Sequence, residues 1–226
     1  MSVSSTVRNA VIWITRHGER EDRVDPNWFN KPQRAYDDPP LADKGRKQAA
    51  ELAERLKRES IDHIFTSPFQ RCVETAQIIS EARDEPLPLN VEPGLCEVLD
   101  GYYAKVPPGF QTANELKQRF ALVDTSYQPV KGIRLKHEDG DRAVEPRVRK
   151  ALDDIRKRHA GNLLLVGHGA SVAGMIHVLA GEWRYVGMTT LSKCVAASQP
   201  STLAPFKLQL FADDSHLSDK SDLRPW

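Results

Sequence analysis

The chain has 226 residues, 40% of them hydrophobic, which suits one domain with a sizeable core. Its 32 basic and 31 acidic residues give a net charge of +1. This balance excludes a global field for nucleic acid or an anionic membrane, so any anion site has to be local. The longest apolar runs, such as the one near Leu163, are too short to span a bilayer.

The cysteines and the amino terminus indicate the cellular setting. Cys72, Cys96 and Cys194 are an odd number without CxxC or CxxH spacing, which favours a reduced, intracellular environment. The first nine residues lack the apolar stretch of a secretory signal. We therefore predict a cytoplasmic protein, and the composition leaves open whether it forms a homodimer.

The first half of the chain alternates strand and helix signals. Residues 10–18 combine β-branched and aromatic residues and end in glycine, which predicts a buried strand. The Pro-, Asp- and Asn-rich residues 22–41 predict a long surface loop. Apolar residues at helical spacing predict a helix from residue 43. Residues 61–67 predict a short strand, followed by a second helix with Ser67 as its N-cap.

The second half continues this alternation after an insertion. Residues 87–97 predict a third strand that runs into a loop. Residues 101–142 are interrupted by proline and glycine and predict an insertion with a helix near 113–122. The polar residues 213–226 predict a frayed tail. The other predicted elements are a helix at 145–159, a buried strand at 162–169, an apolar helix at 170–181, and two late strands at 193–198 and 206–213 that form an edge hairpin.

This order of elements predicts an α/β fold. Alternating strands and helices form a mainly parallel sheet with helices on both faces, a three-layer α/β/α sandwich. We predict one domain over residues 1–226, with a core of about 9–212, inserted active-site segments at about 21–40 and 101–142, and a polar tail at about 213–226. Ligands bind such sheets at the carboxyl ends of the strands, so the residues after each strand are the candidates.

Residues suited to anion chemistry follow four of the predicted strands. Each alone has an ordinary explanation, as a solvated loop residue, a helix cap or a surface charge. The carboxyl ends of parallel strands lie along one edge of the sheet. Six residues of these types at a single edge are poorly explained by chance. They are three arginines, two histidines and one glutamate: Arg16, His17, Arg20, Arg71, Glu97 and His168.

These residue types match the chemistry of a phosphoryl group. The planar fork of arginine pairs with phosphate oxygens and stays charged when buried. A neutral imidazole can attack phosphorus, and a protonated carboxylic acid can donate its proton to the leaving oxygen. Gly18 and Gly169 would let the backbone approach the ligand closely. The sequence therefore predicts a phosphate site at the end of the first strand.

The same segments resemble the histidine phosphatase superfamily, also called the phosphoglycerate mutase-like family. The Arg-His-Gly sequence at 16–18 resembles its signature, and four further segments resemble its motifs in order, at 37–49, 64–77, 91–98 and 163–172. Within the superfamily the chain most resembles the phosphatase domain of the UBASH3/STS (TULA) proteins and the ecdysteroid-phosphate phosphatases. UBASH3 proteins carry UBA and SH3 domains ahead of this domain, and we expect no room for them in 226 residues.

The resemblance implies a phosphoglycerate mutase-like fold and a metal-independent phosphomonoester hydrolase without a cofactor. It implies that His17 is the nucleophile that becomes phosphohistidine and that Glu97, which follows the Glu-Pro-Gly-Leu motif, is the general acid in preference to Glu92. The implied substrate is a phosphorylated small molecule or a phosphoprotein, with phosphotyrosine and small organic esters as candidates. The residues implied to bind the phosphoryl group are Arg16, Arg20, Arg71 and His168.

Two cysteines lie inside these motifs. Cys96 replaces a bulky aromatic residue that relatives often carry, which predicts a wider pocket. Cys72 follows Arg71, and we expect it to serve packing. A thiol phosphatase is not indicated, because no arginine stands where a Cys-x5-Arg loop requires it.

Three alternatives to a phosphatase remain. A cofactor-dependent mutase shares the two histidines and the glutamate, but usually has serine or threonine where this chain has Arg20. A non-catalytic phosphate-binding protein could use the same fold. A metal hydrolase is less favoured, because the seven histidines show no HxxxH or HxH spacing and arginines repel a cation.

Overall fold

The computed structural model of the chain describes residues 9–30, 38–100, 111–197 and 205–225. In this part of the chain six strands form one sheet, namely β1 Val11–Arg16, β2 His63–Thr66, β3 Leu89–Val91, β4 Leu163–Gly167, β5 Leu191–Ala196 and β6 Phe206–Asp213. The α-helices are α1 Glu21–Val24, α2 Asp43–Leu56, α3 Gln70–Glu81, α4 Ala113–Lys117, α5 Glu145–Arg158 and α6 Gly169–Ala180. Short 3₁₀ turns occur at Trp28–Asn30, Pro93–Leu95 and Asp141–Val144.

The sheet has the strand order β3-β2-β4-β1-β5-β6. Strands β3, β2, β4 and β1 pair in parallel, and β5 and β6 add an antiparallel hairpin at one edge. The mainly parallel sheet and the late edge hairpin predicted from the sequence are both confirmed. Because β1, β2 and β4 run in the same direction, their carboxyl ends meet at one edge of the sheet.

Alternating residues of the central strands supply two separate cores. Ile12, Ile14 and Leu165 pack with α5 and α6 on one face of the sheet. Trp13 and Leu164 point to the other face and pack with α2 and α3. This period of two is the expected geometry of a strand that is buried on both faces. The chain therefore forms the three-layer α/β/α sandwich that its sequence predicts.

Helix α2 shows why the sequence pattern works for the long helices. Its apolar residues recur at helical spacing and form one stripe, and its charged residues take the opposite face. The stripe is buried against the sheet, with exposures between 0% and 1% for Ala49, Leu52, Ala53 and Leu56. Helix α5 follows the same pattern.

Three local expectations are wrong. The surface loop predicted at 22–41 contains α1 and the turn Trp28–Asn30, and Trp28 is buried; residues 31–37 lie outside the described part. The helix predicted near 113–122 ends at Lys117. Helix α3 begins at Gln70, so Ser67 is not its N-cap. Of the insertion, residues 101–110 also lie outside the described part.

The carboxyl-terminal segment, expected to fray, packs onto the domain up to residue 225. Leu217 is buried, and the carbonyl of Leu223 accepts a hydrogen bond from the backbone N–H of Met188 at 2.8 Å. The carbonyl of Arg224 accepts a bond of 2.5 Å from Nη1 of Arg16. Side chains hold the segment as well, since Nζ of Lys44 pairs with Asp219 at 3.0 Å. The sequence pattern missed this because polar residues with distant partners look the same in sequence as solvated ones. In the described part of the chain, no helix is long and apolar enough to cross a membrane.

Candidate active site

The predicted residues meet at the carboxyl edge of the sheet. Arg16 ends β1 opposite Gly167, the last residue of β4, and the N–H of His17 donates to the Gly167 carbonyl at 3.0 Å. His168 follows β4 and starts α6, and Arg71 lies in the first turn of α3, which follows β2. The parallel register thus brings residues from distant parts of the sequence together, as the strand-end argument predicts.

The hydrogen bonds of His17 fix which ring nitrogen carries the proton. Nδ1 lies 2.7 Å from the carbonyl oxygen of Gly18. Because a carbonyl oxygen can only accept, the proton belongs on Nδ1, and the lone pair of the neutral ring belongs on Nε2. Among the described residues, none forms a hydrogen bond with Nε2. His17 therefore has the tautomer of a nucleophile that attacks through Nε2.

His168 is held in the opposite tautomer. Nη2 of Arg71 lies 3.2 Å from Nδ1 of His168, and an arginine can only donate, so Nδ1 accepts. The proton is then on Nε2, which donates to Oγ of Ser67 at 2.7 Å. The His168 ring lies edge-on to the His17 ring, with 5.1 Å between the ring centroids. Ser67, predicted as a helix cap, instead orients this histidine.

Both imidazoles are uncharged at neutral pH. Burial, followed by the nearby Arg71 and Arg16 guanidinium groups, lowers the pKa of His17 well below its ordinary value of 6.5. Burial and then Arg71 do the same to the pKa of His168. The Arg16 guanidinium stays protonated, although burial lowers its pKa to about 10. The site thus combines neutral imidazoles with fixed cations.

Two buried guanidinium groups carry N–H donors that no described residue accepts. Nε and Nη1 of Arg71 and Nε of Arg16 are buried and form no hydrogen bond with any described residue. Arg71 forms an ion pair with the carboxylate of Asp38, in which Nη1 of Arg71 lies 3.7 Å from Oδ1 of Asp38. Buried N–H groups without an acceptor are costly, so such a cluster is typical of a site that binds an anion.

Arg16 is anchored so that only part of its fork is occupied. Nη1 donates to the carbonyls of Val186 at 3.2 Å and Arg224 at 2.5 Å. The Arg16 carbonyl accepts from the N–H of Thr189 at 3.0 Å, which fixes the backbone behind the guanidinium. The remaining edge of the fork is therefore held in a set position.

Arg20 differs from the other predicted phosphate ligands, because a carboxylate occupies one edge of its guanidinium in a bidentate pair. Its Nε and Nη2 donate to the two carboxylate oxygens of Asp22 at 2.9 and 2.6 Å. Arg20 lines the same cleft as Arg16, so it lies close to the predicted site. A phosphate contact on this edge of the guanidinium requires that Arg20 exchange the carboxylate for the ligand, whereas a contact through Nη1 does not.

Glu97 lies at the amino terminus of α6, on the same side as His168. Its Oε2 accepts from the N–H of Gly169 at 3.0 Å, and its Oε1 from that of Ala170 at 3.2 Å. Glu92 is fully buried elsewhere, and its carboxylate accepts from Tyr127, among other donors. The structure thus brings Glu97, and not Glu92, to the site.

A cleft of about 250 Å³ opens beside these residues. It is lined by Arg16, Arg20, Arg23, Glu97, Val98, Asp100, Asp141, Gly169, Ala170 and Tyr185. Gly169 lines the cleft, as predicted. A Cβ at Gly18 would lie 2.5 Å from the backbone oxygen of Gly45, so this glycine lets the loop after β1 pack closely against α2.

The cysteines take no part in the cleft. Cys96 is fully buried with Phe69 and Leu99, so the expectation that it widens the pocket is wrong. Cys72 is also fully buried, and burial raises the pKa of its thiol far above the ordinary value. Such a thiol is a poor nucleophile. In the described residues, no group of three or more His, Cys, Asp or Glu side chains could hold a metal ion.

The sequence pattern missed several residues around the site. Asp38 contacts Arg71 and is buried, and burial raises the pKa of its carboxyl to about 6. Its place in the 37–49 motif was the available signal. Tyr185 lines the cleft and donates to Asp141 at 2.5 Å. Tyr185 and Asp141 belong to no motif, because only the folded chain brings them together.

We expect the free energy of unfolding to fall as the pH is lowered from 7 to 5. His17 and His168 have folded-state pKa values below 6.5, so in this range the unfolded chain binds protons that the folded chain does not. Each histidine contributes up to about 1.4 kcal/mol of loss per pH unit below 6.5, and nothing at pH 8. Urea unfolding at a series of pH values measures this slope.

The His17→Ala variant provides the comparison, because it removes one of the two histidines and makes the slope shallower. The carboxyl of Asp38 acts in the opposite direction, since its raised pKa lets the folded chain hold an extra proton below about 6. Asp38 is present in both proteins, so their difference reports on His17. Equal slopes would show that the His17 ring ionises normally in the folded state.

Comparison with known proteins identifies the family of this chain. Residues 12–195 match the model of the histidine phosphatase superfamily (branch 1). The chain is 33% identical over 201 residues to the ecdysteroid-phosphate phosphatase of Bombyx mori, covering 74% of this chain and 30% of that protein. It is 25% identical over 216 residues to human ubiquitin-associated and SH3 domain-containing protein A, covering 80% of this chain and 32% of that protein. The chain thus spans about a third or less of these relatives.

A third relative is of similar length. The probable phosphoglycerate mutase GpmB of Photorhabdus laumondii is 31% identical over 173 residues, covering 75% of this chain and 74% of that protein. Among solved structures, the Bombyx mori ecdysone phosphate phosphatase in complex with tungstate superposes with a TM-score of 0.67 at 22% identity, covering 90% of this chain and 93% of that one. The resemblance and the fold predicted from the sequence are confirmed, and the chain belongs to the histidine phosphatase superfamily.

Proposed function

We propose that this protein is a metal-independent phosphomonoester hydrolase that works through a phosphohistidine intermediate on His17. One observation carries the proposal. A neutral imidazole, with its lone pair on Nε2, lies beside buried guanidinium donors of Arg16 and Arg71 that lack an acceptor among the described residues. A nucleophile next to an unfilled anion cradle is the arrangement that phosphoryl transfer requires.

The reaction has two steps. In the first, Nε2 of His17 attacks phosphorus, the bond from phosphorus to the ester oxygen breaks, and Glu97 gives its proton to the leaving oxygen. In the second, water attacks the phosphohistidine, the phosphorus–nitrogen bond breaks, and the Glu97 carboxylate accepts the proton of the water. The products are an alcohol or phenol and inorganic phosphate, and Glu97 returns to its starting state.

The other predicted residues hold the phosphoryl group. Arg16 and Arg71 supply fixed donors for its oxygens, and stabilisation of this kind costs no reorganisation during the reaction. His168 carries its proton on Nε2 and keeps Arg71 in place through Nδ1. We assign Arg20 to the same pocket, because it lines the cleft together with Arg16.

The substrate class rests on the relatives. The names of the insect relatives specify ecdysteroid phosphate, and the solved Bombyx mori structure contains tungstate, an oxyanion with the tetrahedral shape of phosphate. We propose that this chain acts on a phosphorylated small molecule or a phosphotyrosine-bearing protein. The cytoplasmic location and the homodimer stay predictions.

The first test is hydrolysis of p-nitrophenyl phosphate by the purified protein in the presence of EDTA. We expect turnover that is unaffected by the chelator, because the proposed steps use side chains alone. Activity that disappears in EDTA and returns with added metal would contradict the proposal. Absence of any turnover by the folded protein would favour a non-catalytic phosphate-binding protein.

A mutase is the second candidate, because 31% identity to GpmB extends over three quarters of both chains. A mutase returns the phosphoryl group to a sugar acid instead of water, and needs a bisphosphate primer. Incubation with 3-phosphoglycerate and such a primer separates the two functions. We expect release of inorganic phosphate without formation of 2-phosphoglycerate.

A further inference from the structure

Arg147, a buried arginine on α5, forms hydrogen bonds with the backbone of the segment that carries Glu97. Nη1 of Arg147 donates to the carbonyls of Gly94 and Cys96, both at 3.0 Å. Nη2 donates to the carbonyl of Glu97 itself, also at 3.0 Å. One guanidinium thus satisfies three backbone carbonyls within four consecutive residues.

Glu138 completes this grip from the opposite side. Its two oxygens accept from Nε and Nη2 of Arg147 at 2.9 and 2.7 Å, a bidentate pair. Oε2 also accepts from the N–H of Leu99 at 3.0 Å, and the N–H of Glu138 donates to the Leu99 carbonyl at 2.8 Å. Arg147 and Glu138, here called the clamp, therefore hold residues 94–99, here called the acid segment, on both sides of Glu97.

Burying the clamp costs free energy, because both of its charges lose their contact with water. Arg147 and Glu138 are 7% and 8% exposed, and buried ion pairs often stabilise no better than apolar residues of the same size. What the pair adds is geometry, because the planar fork fixes several acceptors at once. All the acceptors of Arg147 lie in the acid segment or on Glu138. The clamp therefore fixes where the backbone of Glu97 lies relative to the site.

The position of the Glu97 carboxylate depends on where the acid segment lies. Gly169 and Ala170 at the amino terminus of α6 donate to the carboxylate. Its third donor is the N–H of Val98, at 2.9 Å, and Val98 belongs to the acid segment itself. If the acid segment shifts, the carboxylate either leaves α6 or pulls away from the leaving oxygen. A misplacement of about 1 Å can cost about 10²-fold in rate.

We propose that Arg147, oriented by Glu138, is a positioning residue for Glu97 and sets the efficiency of proton transfer to the leaving group. This inference rests on the proposed function, in which Glu97 is the general acid. Arg147 touches neither His17 nor the guanidinium of Arg71 in the described contacts, so the clamp acts on proton donation and leaves phosphate binding intact.

The test compares two substrates that differ in their need for an acid. Phenyl phosphate has a poor leaving group, and p-nitrophenyl phosphate has a good one. For Arg147→Lys and Glu138→Gln we expect kcat/KM, which reports the first step alone, to fall by about 10²-fold on phenyl phosphate and by less than about threefold on p-nitrophenyl phosphate. Competitive inhibition by inorganic phosphate should not change. Arg149→Lys, on the same helix in a partly exposed pair with Glu145, is the matched control and should behave as wild type.

A double variant gives the sharpest readout. If Arg147 acts only through Glu97, adding Arg147→Lys to Glu97→Gln should cost little more than Glu97→Gln alone. Equal losses of Arg147→Lys on both substrates, or full additivity in the double variant, overturn the proposal and leave the clamp a structural role. Should Arg147→Lys fail to fold, Glu138→Gln is judged by the same substrate ratio.

The design separates this inference from the proposed function. If Glu97→Gln itself lowers kcat/KM equally for both substrates, the acid assignment fails and the clamp proposal falls with it. If Glu97→Gln loses phenyl phosphate selectively and both clamp variants do not, only the positioning role fails.

Discussion

The His17→Ala variant is expected to hydrolyse p-nitrophenyl phosphate at least about 10⁴-fold more slowly than the wild type, the scale of loss seen when a covalent nucleophile is removed. The reason is that Nε2 of His17 forms the bond to phosphorus, and the cations that remain can bind phosphate but cannot attack it. Arg71 and Arg16 stay in place, so phosphate should still bind the variant. Steady-state kinetics and isothermal titration with inorganic phosphate measure the two properties separately.

A second histidine supplies the control for this variant. His63 begins β2, at the opposite end of the strand from the site, and His63→Ala should keep its activity. Circular dichroism should show a native fold for both variants, since α2, α3, α5 and α6 pack on the sheet without His17. Retention of more than about a tenth of the activity by His17→Ala would show that another group attacks phosphorus.

The Glu97→Gln variant is expected to lose activity according to the leaving group. A glutamine amide keeps the size of the side chain but has no acidic proton to give. The value of kcat/KM for phenyl phosphate should fall by about 10²–10⁴-fold, the usual contribution of a general acid. The value for p-nitrophenyl phosphate should fall much less, because p-nitrophenolate leaves without protonation. A series of substituted phenyl phosphates measures the slope of log(kcat/KM) against leaving-group pKa, which should steepen in the variant. The ratio kcat/KM is used because it excludes the second step, in which Glu97 is the base for every substrate.

The Glu92→Gln variant tests whether the acid role depends on where the carboxylate lies. Glu92 belongs to the same motif, but its carboxylate is buried against Gly94, Tyr127 and Val130. Its replacement should reduce stability without steepening the slope, since Glu92 lies away from the cleft. A steeper slope for Glu92→Gln than for Glu97→Gln would transfer the acid role to Glu92.

The sequence predicted the fold well because its signals are local. The continuous apolar and β-branched run of β1, and the helical stripe of α2, are visible in a few consecutive residues. The parallel sheet then follows from the order of the elements. The carboxyl-terminal segment was misjudged because its partners are distant in sequence, such as Met188 for Leu223 and Lys44 for Asp219, and leave no local pattern.

The candidate site was predictable wherever residues follow a strand. His17, His168 and Arg16 lie where the strand-end argument puts them, since the register of β1 on β4 determines their position. What the sequence could not show is which side chains pair with one another. The Asp22 partner of Arg20 and the grip of Arg147 on the acid segment depend on side-chain directions that only the folded chain defines.

The most direct test of the account is to trap the phosphorylated enzyme. Phosphohistidine has a phosphorus–nitrogen bond that survives alkali and breaks in acid. The protein is mixed with p-nitrophenyl phosphate, quenched in alkali within the first turnovers, and digested for peptide mass spectrometry. We expect one acid-labile phosphoryl group, located on His17 and absent from His17→Ala. A phosphoryl group on another residue, or none at any time during turnover, would contradict the claim that His17 is the nucleophile.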